Sequence, residues 1–461
     1  MGDTARELRN AWDDLIDELQ RARVAIDQPE RMPAPGTDRN LAEGYRYLMG
    51  FLHSAVERAF FADPAFPSVR HVLHSMNKGT IDNPDAIYFA AAIDGHERYV
   101  LRGQVGDARH WHGEPPAEAT IKAPQYLIFE LSSGVLAGDS GSLTELRPGL
   151  KAQTGRLDSG ELQLDAEGRF EILLAPERPA GHTGNFISTW RKTSRPRPDD
   201  PTESLDRYAD YLSGRQLFHD WEFERPTELT IERLDADGQT PAAYTPEAAA
   251  AELRRAGALV RGQMHFWNEF NTVLLETYGK RDGSDGERFM PRNAFNAVNA
   301  ASIATGGGQS TNLYAGGVWE LGPDEALVIE TRVPQTPQYT GFGLANLWGE
   351  SLDFANHQSS LNGHQAERDA DGVTRFVLAH RDPGIPNWLD TTWHPEGYMS
   401  PRWTYSEKPA PEDWPTVTAH KVAFDEVRDH LPSGVRTVTA EERAERIRIR
   451  RRHVQLRYRS F

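Results

Sequence analysis

Apolar residues recur at spacings of three and four through Leu8, Trp12, Leu15, Leu19, Ala22 and Ile26, which draws one stripe along a helix. Pro29, Pro33 and Pro35 break that pattern. A second stripe runs through Leu41, Tyr45, Leu48, Leu52, Val56 and Phe60 and stops at Asp63-Pro64. The spacing predicts two helices that pair as an antiparallel hairpin or pack on a sheet.

From Ile87 the period changes to two. Strands are predicted over Ile87–Ile93, Arg98–Gly103, Tyr126–Leu131, Phe186–Trp190 and Glu228–Leu234. Glu161–Leu164 and Phe170–Leu174, joined by Asp165-Ala166-Glu167-Gly168, read as a hairpin. Arg195–Pro201 reads as a stiff polar connector and Leu205–Leu212 as a short helix. The longest helical pattern starts at Thr245 as N-cap with Pro246 in the first turn and runs to about Tyr278. Strands follow over Leu327–Val333, Gly341–Trp348, Thr374–His380 and Met399–Tyr405, with a short helix at Phe424–His430.

These patterns predict an α+β protein: an N-terminal helical pair (1–62), a β-rich first domain (63–240), a connecting long helix (245–280), a C-terminal jelly-roll β-sandwich (281–435) and a basic C-terminal tail (436–461).

Composition narrows the function classes. At 461 residues and 38% hydrophobic, with 11 tryptophans, the chain can build sizeable cores. It has no cysteine, which excludes disulfides, thiolate metal sites and cysteine nucleophiles. A net charge of −17 argues against general nucleic-acid affinity. No apolar run approaches a membrane span. The start has no basic stretch followed by an apolar core, so no secretory signal is expected, and the chain reads as soluble and cytoplasmic. Arg446, Arg448, Arg450, Arg451, Arg452, Arg457 and Arg459 crowd the tail, with Ile447, Ile449, Val454 and Leu456 interleaved partly in strand-like alternation. Such a segment serves as a polyanion- or membrane-surface tail in one reading, and in the preferred one docks on its own acidic surface or on a neighbouring copy, which makes a homo-oligomer one expectation.

Several motifs read as structure. Gly138-Asp139-Ser140-Gly141-Ser142 reads as a tight turn, because no histidine sits in a protease-like context to activate Ser140. His110-Trp111-His112 would place two imidazoles on one strand face, but no third ligand is patterned to complete a metal site; a polar loop or half-exposed strand is expected and no metal ligand is assigned. Gly306-Gly307-Gly308-Gln309-Ser310-Thr311 fits no phosphate-loop or dinucleotide pattern and reads as a flexible loop able to act as a lid.

The densest chemistry lies near the end. His380, Asp390 and Arg402 form the candidate catalytic set: an imidazole for proton transfer, a carboxylate to orient it and a guanidinium to stabilise negative charge. Asn387, Trp388, Trp348, Asn356, His357 and Asn362 supply amides and aromatic faces for hydroxyls and flat apolar surfaces, and form the candidate substrate-binding set.

Pro386-Asn387-Trp388-Leu389, followed by Arg402, Trp403 and Tyr405, resembles the C-terminal core of the bacterial domain-of-unknown-function family 1214. Leu344-Ala345-Asn346-Leu347-Trp348 and Asn356–Asn362 also look like that family's β-core, so the resemblance covers about Gly341–Tyr405. It implies a jelly-roll-like sandwich with some similarity to carbohydrate-active sandwiches, and no established activity. Trp393-His394 and Tyr398-Met399 enlarge the loop beyond the family pattern.

The expected function is acid–base chemistry, hydrolase-like, on a small hydroxylated, partly apolar substrate such as a carbohydrate or lipid-like metabolite, without a tightly bound organic cofactor. A non-catalytic carbohydrate- or lipid-binding module is the alternative, and an assembly protein using the Arg-rich tail a third reading.

Overall fold

The computed structural model describes residues 2–27, 37–117, 120–134, 137–138, 141–146, 151–194, 204–236, 238–277, 290–300 and 309–458. Helices α1 (Gly2–Asp27) and α2 (Asp38–Phe60) open the chain. Strands β1 (Arg70–Val72), β2 (Ala86–Ala92), β3 (Tyr99–Gln104), β4 (Tyr126–Ser133), β5 (Ala152–Asp158), β6 (Arg169–Ala175), β7 (Asn185–Ser188), β8 (Trp190–Ser194), β9 (Ser204–Tyr208), β10 (Tyr211–Leu217) and β11 (Glu228–Arg233) follow. Helix α3 (Pro246–Thr272) leads to β12 (Asn312–Tyr314), β13 (Gly317–Glu320), β14 (Glu325–Arg332), β15 (Tyr339–Ala345), β16 (Ser360–Asn362), β17 (Thr374–Ala379), β18 (Trp388–Asp390), β19 (Glu396–Thr404) and β20 (Thr416–Ala423). Helix α4 (Ala440–Arg457) closes the described chain. The protein is α+β, with an N-terminal helix pair and a C-terminal β-sandwich.

Two sandwiches stand side by side. In the first, the sheet β1-β2-β10-β4-β5 faces the sheet β11-β3-β6-β7 over Phe89, Leu101, Phe129, Leu131, Ile172 and Leu212. In the second, β12-β19-β15-β16, with β13 also on β19, faces β18-β17-β14-β20 over Trp319, Leu327, Ile329, Phe342, Phe376 and Met399. Ala86, Tyr126, Ile128, Leu217 and Tyr339 pack one sandwich on the other. The Tyr339 hydroxyl donates to Asp85 at 2.6 Å across that joint.

Helix α3 packs on the N-terminal pair and makes a group of three. Leu15 of α1, Ala59 of α2 and Ala256 of α3 share a buried cluster. Gly257 lets α1 lie close, since a Cβ there would meet the Glu18 side chain at 3.1 Å and Leu15 Cα at 3.3 Å. Thr245 caps α3 by accepting from the Ala248 amide at 3.2 Å. The buried face of α2 is rotated from the predicted stripe. Tyr47, Leu48, Phe51 and Ala55 are buried, whereas Tyr45 is exposed, as is Trp12 on α1.

Three local expectations are corrected. Leu205–Leu212 is not helical: Leu205–Tyr208 lies in β9 against β8, and β10, from Tyr211, pairs with both β2 and β4, pairings that override a local helical spacing. Glu161–Leu164 is not a strand; Asp165–Gly168 does turn, with the Gly168 amide donating to the Asp165 carbonyl at 3.1 Å, but β6 pairs with β3 and β7 instead. The Arg-rich segment is the helix α4, not strand-like, begun by a capping box between Thr439 and Glu442. It docks on its own chain: Arg443 to Asp382 at 2.9 Å, Arg446 to the Pro386 carbonyl at 2.9 Å and Arg450 to the Phe354 carbonyl at 3.0 Å. Asp139, Ser140, Gly306–Gly308, Arg195–Pro201 and Arg459 lie outside the described residues.

No helix among the described residues is long and apolar enough to cross a membrane.

Candidate functional site

A cavity of about 720 Å³ lies between the two sandwiches, closed by α2 and α3. Strand alternation explains its walls. Leu212 of β10 points into the first core, so Tyr211, Ser213 and Arg215 point away from it and line the cavity. Met399 of β19 points into the second core, so Ser400 and Arg402 turn to the cavity from the opposite side, beside Asn312 and Tyr314 of β12. Ser54, Glu57 and Arg58 of α2, with Phe61 just beyond its end, face it, and Trp267, Phe270 and Leu274 close it from α3 and the turn beyond.

The cavity is mainly apolar with a basic bias. Arg402 is 5% exposed. Its Nη2 donates to the Ile81 carbonyl at 3.1 Å and to Ser400 Oγ at 3.2 Å, while its Nε has no hydrogen-bond partner among the described residues. No carboxylate among them pairs with it; the Tyr314 ring lies 5.8 Å away. Arg58 and Arg255 line the same space, and neither forms an ion pair with a described residue. Burial lowers the Arg58 pKa, Tyr211 and Asp210 oppose that fall, and the like charge of Arg255 adds to it. Arg215 is matched by Glu130 at 2.6 Å. Acidic groups on the wall are Glu57, which faces Arg70 at 3.5 Å, Asp63 and Asp210. Gln309 is 1% exposed; its amide nitrogen donates to Thr311 Oγ1 at 2.8 Å, and its Oε1 has no hydrogen-bond partner among the described residues.

The segment from Leu73 to Ile81 forms another wall and is held in unusual backbone. Leu73 (φ 52°), Thr80 (φ 60°) and Ile81 (φ 55°) all adopt left-handed conformations and all line the cavity. Such conformations are unfavourable for branched side chains and collect at functional sites. The Ile81 amide is fixed by the Gly349 carbonyl at 2.8 Å. Behind this wall His74, buried beside His53 and His71, has its pKa pushed down to about 4, first by burial.

Of the nine residues singled out from the sequence, Arg402 lines this cavity and the other eight do not. His380 is buried, with Nδ1 on Thr391 Oγ1 at 2.6 Å and its ring stacked 6.2 Å from that of Trp393. Asp390 pairs with His357 at 2.8 Å. Asn387 donates to the carbonyls of Glu367 and Arg375 at 2.6 and 2.9 Å, which pins a loop. Trp388 donates to the Ala379 carbonyl at 3.0 Å and lies under the Arg443 guanidinium. Trp348 is fully buried against α2. Asn356 accepts from Arg451 at 2.8 Å. Asn362 donates to Asp85 at 2.9 Å and to the Phe218 carbonyl at 3.0 Å. His380 and Asp390 therefore stand outside the cavity that Arg402 lines, and each is hydrogen-bonded elsewhere. His110 and His112 sit on a short 3₁₀ turn rather than a strand, and His110 Nε2 is 3.1 Å from the Pro124 carbonyl.

Arg58, Arg255 and the 73–81 wall were missed by sequence reasoning, and Gln309 entered it only as part of a loop. Tyr211-x-Ser213-x-Arg215 alternates polar residues along a strand, and that was an available signal once Leu205–Leu212 was read as extended. Nothing local marks Arg58 or Arg255, because they meet only through the packing of α2 on α3.

No protein-family model matches this chain, and no curated protein matches it. Among solved structures, it is similar to an uncharacterized protein from Burkholderia cenocepacia, with 28% identity and a TM-score of 0.71 over 92% of this chain and 99% of that one. A Vibrio parahaemolyticus protein aligns at 11% identity and a TM-score of 0.40, over 81% of this chain and 98% of that one.

Proposed function

We propose that this chain binds a small, mainly apolar molecule with an anionic head group in the cavity between the sandwiches, the head group seated on Arg402. The observation that carries the reading is the Arg402 guanidinium itself: 5% exposed, with an unused Nε and no carboxylate beside it among the described residues. A buried cation without a counter-charge is costly, and a bound carboxylate, phosphate or sulfate supplies that charge with forked hydrogen bonds. The Gln309 carbonyl oxygen offers an acceptor for a hydroxyl on the same molecule. The test is a thermal-shift and calorimetric screen of alkyl and aryl acids, each paired with its neutral amide or alcohol. Acids should raise the melting temperature of the native chain, and Arg402→Gln should weaken them at least ten-fold while the protein stays folded. Equal binding of neutral analogues, or unchanged acid affinity in Arg402→Gln, would sink the reading.

Catalysis on that molecule, of the hydrolytic or other acid–base kind, is the second reading. What favours it is the strain gathered on the wall at Leu73, Thr80 and Ile81, with the carboxylate of Glu57 facing the same space. In this reading Glu57 moves the proton and Arg402 holds the developing anion. Ester and glycoside panels test it: turnover that survives Glu57→Gln rules it out. The likeness of Gly341–Tyr405 to the domain-of-unknown-function family 1214 belongs with these proposals and assigns no reaction.

A further inference from the structure

The wall that carries the strained residues also brings together a second group of side chains. His53 and Glu57 are four residues apart on α2, so they share a face. One turn earlier stands Gly50. A Cβ there would lie 3.1 Å from the Met76 carbonyl oxygen and 3.3 Å from Asn77 Cα. The bare backbone at Gly50 therefore lets the 74–77 turn lie on the helix, and that turn delivers His74. One ligand atom from each of His53, Glu57 and His74 lies within 4.8 Å of the others. The two imidazoles meet edge to face, 5.1 Å apart. His53 Nδ1 is buried without a hydrogen-bond partner among the described residues, and it faces Glu57 Oε2 at 3.9 Å. Arg70 sits at the other carboxylate oxygen, Oε1, at 3.5 Å. Tyr458 of the C-terminal segment covers His74, ring to ring at 6.3 Å.

We propose that His53, Glu57 and His74 hold a divalent first-row transition ion, with zinc as the first choice. Two imidazoles and one carboxylate are the donor set that such ions take, and three protein ligands leave a position for water or for a bound molecule's oxygen. At metal–ligand distances of about 2.0–2.2 Å, donor atoms lie at most about 4 Å apart, so the three must draw together slightly. His53 and Glu57 are part-exposed on the helix and have room to turn. Ligation through either nitrogen of His74 displaces the Met76 amide from Nδ1, a contact already long at 3.3 Å. Arg70 then balances the carboxylate from outside, as a partner that orients the ligand. Glu57 also lines the cavity, so the ion stands at its wall, and a Glu57 that ligates it no longer moves the proton as in the second reading above.

The test uses the full-length chain without a histidine tag, stripped with chelator and then titrated with zinc by calorimetry and with cobalt by visible absorption. One ion per chain should bind at micromolar affinity or tighter, and cobalt should develop the d–d bands of an ordered site. His53→Ala, Glu57→Gln and His74→Ala should each weaken binding at least ten-fold. His110→Ala should not, since that imidazole is engaged elsewhere. If His74→Ala fails to fold, the part-exposed His53→Ala and Glu57→Gln carry the test alone. No stoichiometric uptake by the native chain, or unchanged affinity in both His53→Ala and Glu57→Gln, overturns the proposal. Neither result depends on whether acids bind at Arg402.

Discussion

The indole of Trp348 donates to the Asn40 carbonyl at 2.8 Å, and its ring fills the notch left by Gly44 on the same helix. A Cβ on Gly44 would stand 2.7 Å from Trp348 Cζ2 and 3.0 Å from Ile26 Cγ2. Trp348 thus joins α2 to the second sandwich rather than offering a platform to a ligand. Gly44→Ala should destabilise by about 1–3 kcal/mol through overpacking, and Trp348→Ala by about 3–5 kcal/mol through the cavity it leaves. Thermal melts check both. A Gly44→Ala protein as stable as the native chain would show that the helix and the ring can separate freely.

How far the sequence reaches depends on the range of the interaction. The first three helices, about half of the strands and the α+β class are written in local periodicity, and the boundaries of those elements fall within a few residues of expectation. The site is not local. His380, Asp390 and Asn387 crowd one stretch of sequence, but strand alternation and loop geometry send each to a different partner. Arg402 was singled out in the sequence and does line the cavity, but its company was not legible. Arg58, Arg255, Gln309 and Ile81 come from four distant segments that meet only when both sandwiches and the helices have packed. The Arg-rich tail docks on its own chain, one of the two expectations, but as a helix rather than in strand-like alternation. Its depth of burial was not legible: Arg450 and Arg457 are 3% and 0% exposed, both guanidinium groups lying over the Trp221 ring and that of Arg457 also over Phe354.

Helix α4 clasps the two sandwiches together. Arg457 Nη1 donates to the Pro84 carbonyl, ahead of β2, at 2.6 Å and lies over the Trp221 ring, while Arg451 reaches Asn356 in the second sandwich. Truncation after residue 439 should lower the melting temperature sharply without changing the size-exclusion volume class of the chain. Arg457→Ala should cost about 2–4 kcal/mol, from the lost packing and the orphaned Pro84 carbonyl. Arg457→Met should cost less, because it keeps volume and removes a buried charge. A truncated chain that melts with the native one would contradict the clasp.

Stability should fall on the acid side of neutrality. Burial pushes His219 down to about 3, with His364 and His110 adding to the fall and the Thr340 carbonyl and Asp220 opposing it. His453, stacked on Trp221 at 5.3 Å, is shifted the same way by burial and by Arg457 and Arg225. A histidine depressed in the folded state binds its proton more readily when unfolded. Its contribution is complete above pH 6.5 and is lost as pH falls through the folded pKa. Each such group gives a slope of up to about 1.4 kcal/mol per pH unit below pH 6.5. His219→Gln should flatten that slope by the share of one proton in melts between pH 4 and 7. An unchanged slope would mean that His219 is not held neutral.

The strain at the cavity wall makes the last prediction. Thr80 is exposed at φ 60°, next to Ile81 at φ 55°, whose amide is held by the Gly349 carbonyl and whose own carbonyl accepts from Arg402. A left-handed conformation costs an ordinary L-residue roughly 1–2 kcal/mol, and a β-branched side chain suffers most. Asparagine tolerates that region. Thr80→Asn should therefore stabilise the chain by up to about 1 kcal/mol, which for a protein of this size raises the melting temperature by about one degree. The backbone beside Arg402 would then be held with less tension, and any turnover or acid binding should change even though position 80 carries no charge. Melting curves decide the first half: a fall in melting temperature would show that the threonine side chain contributes more than its backbone conformation takes away.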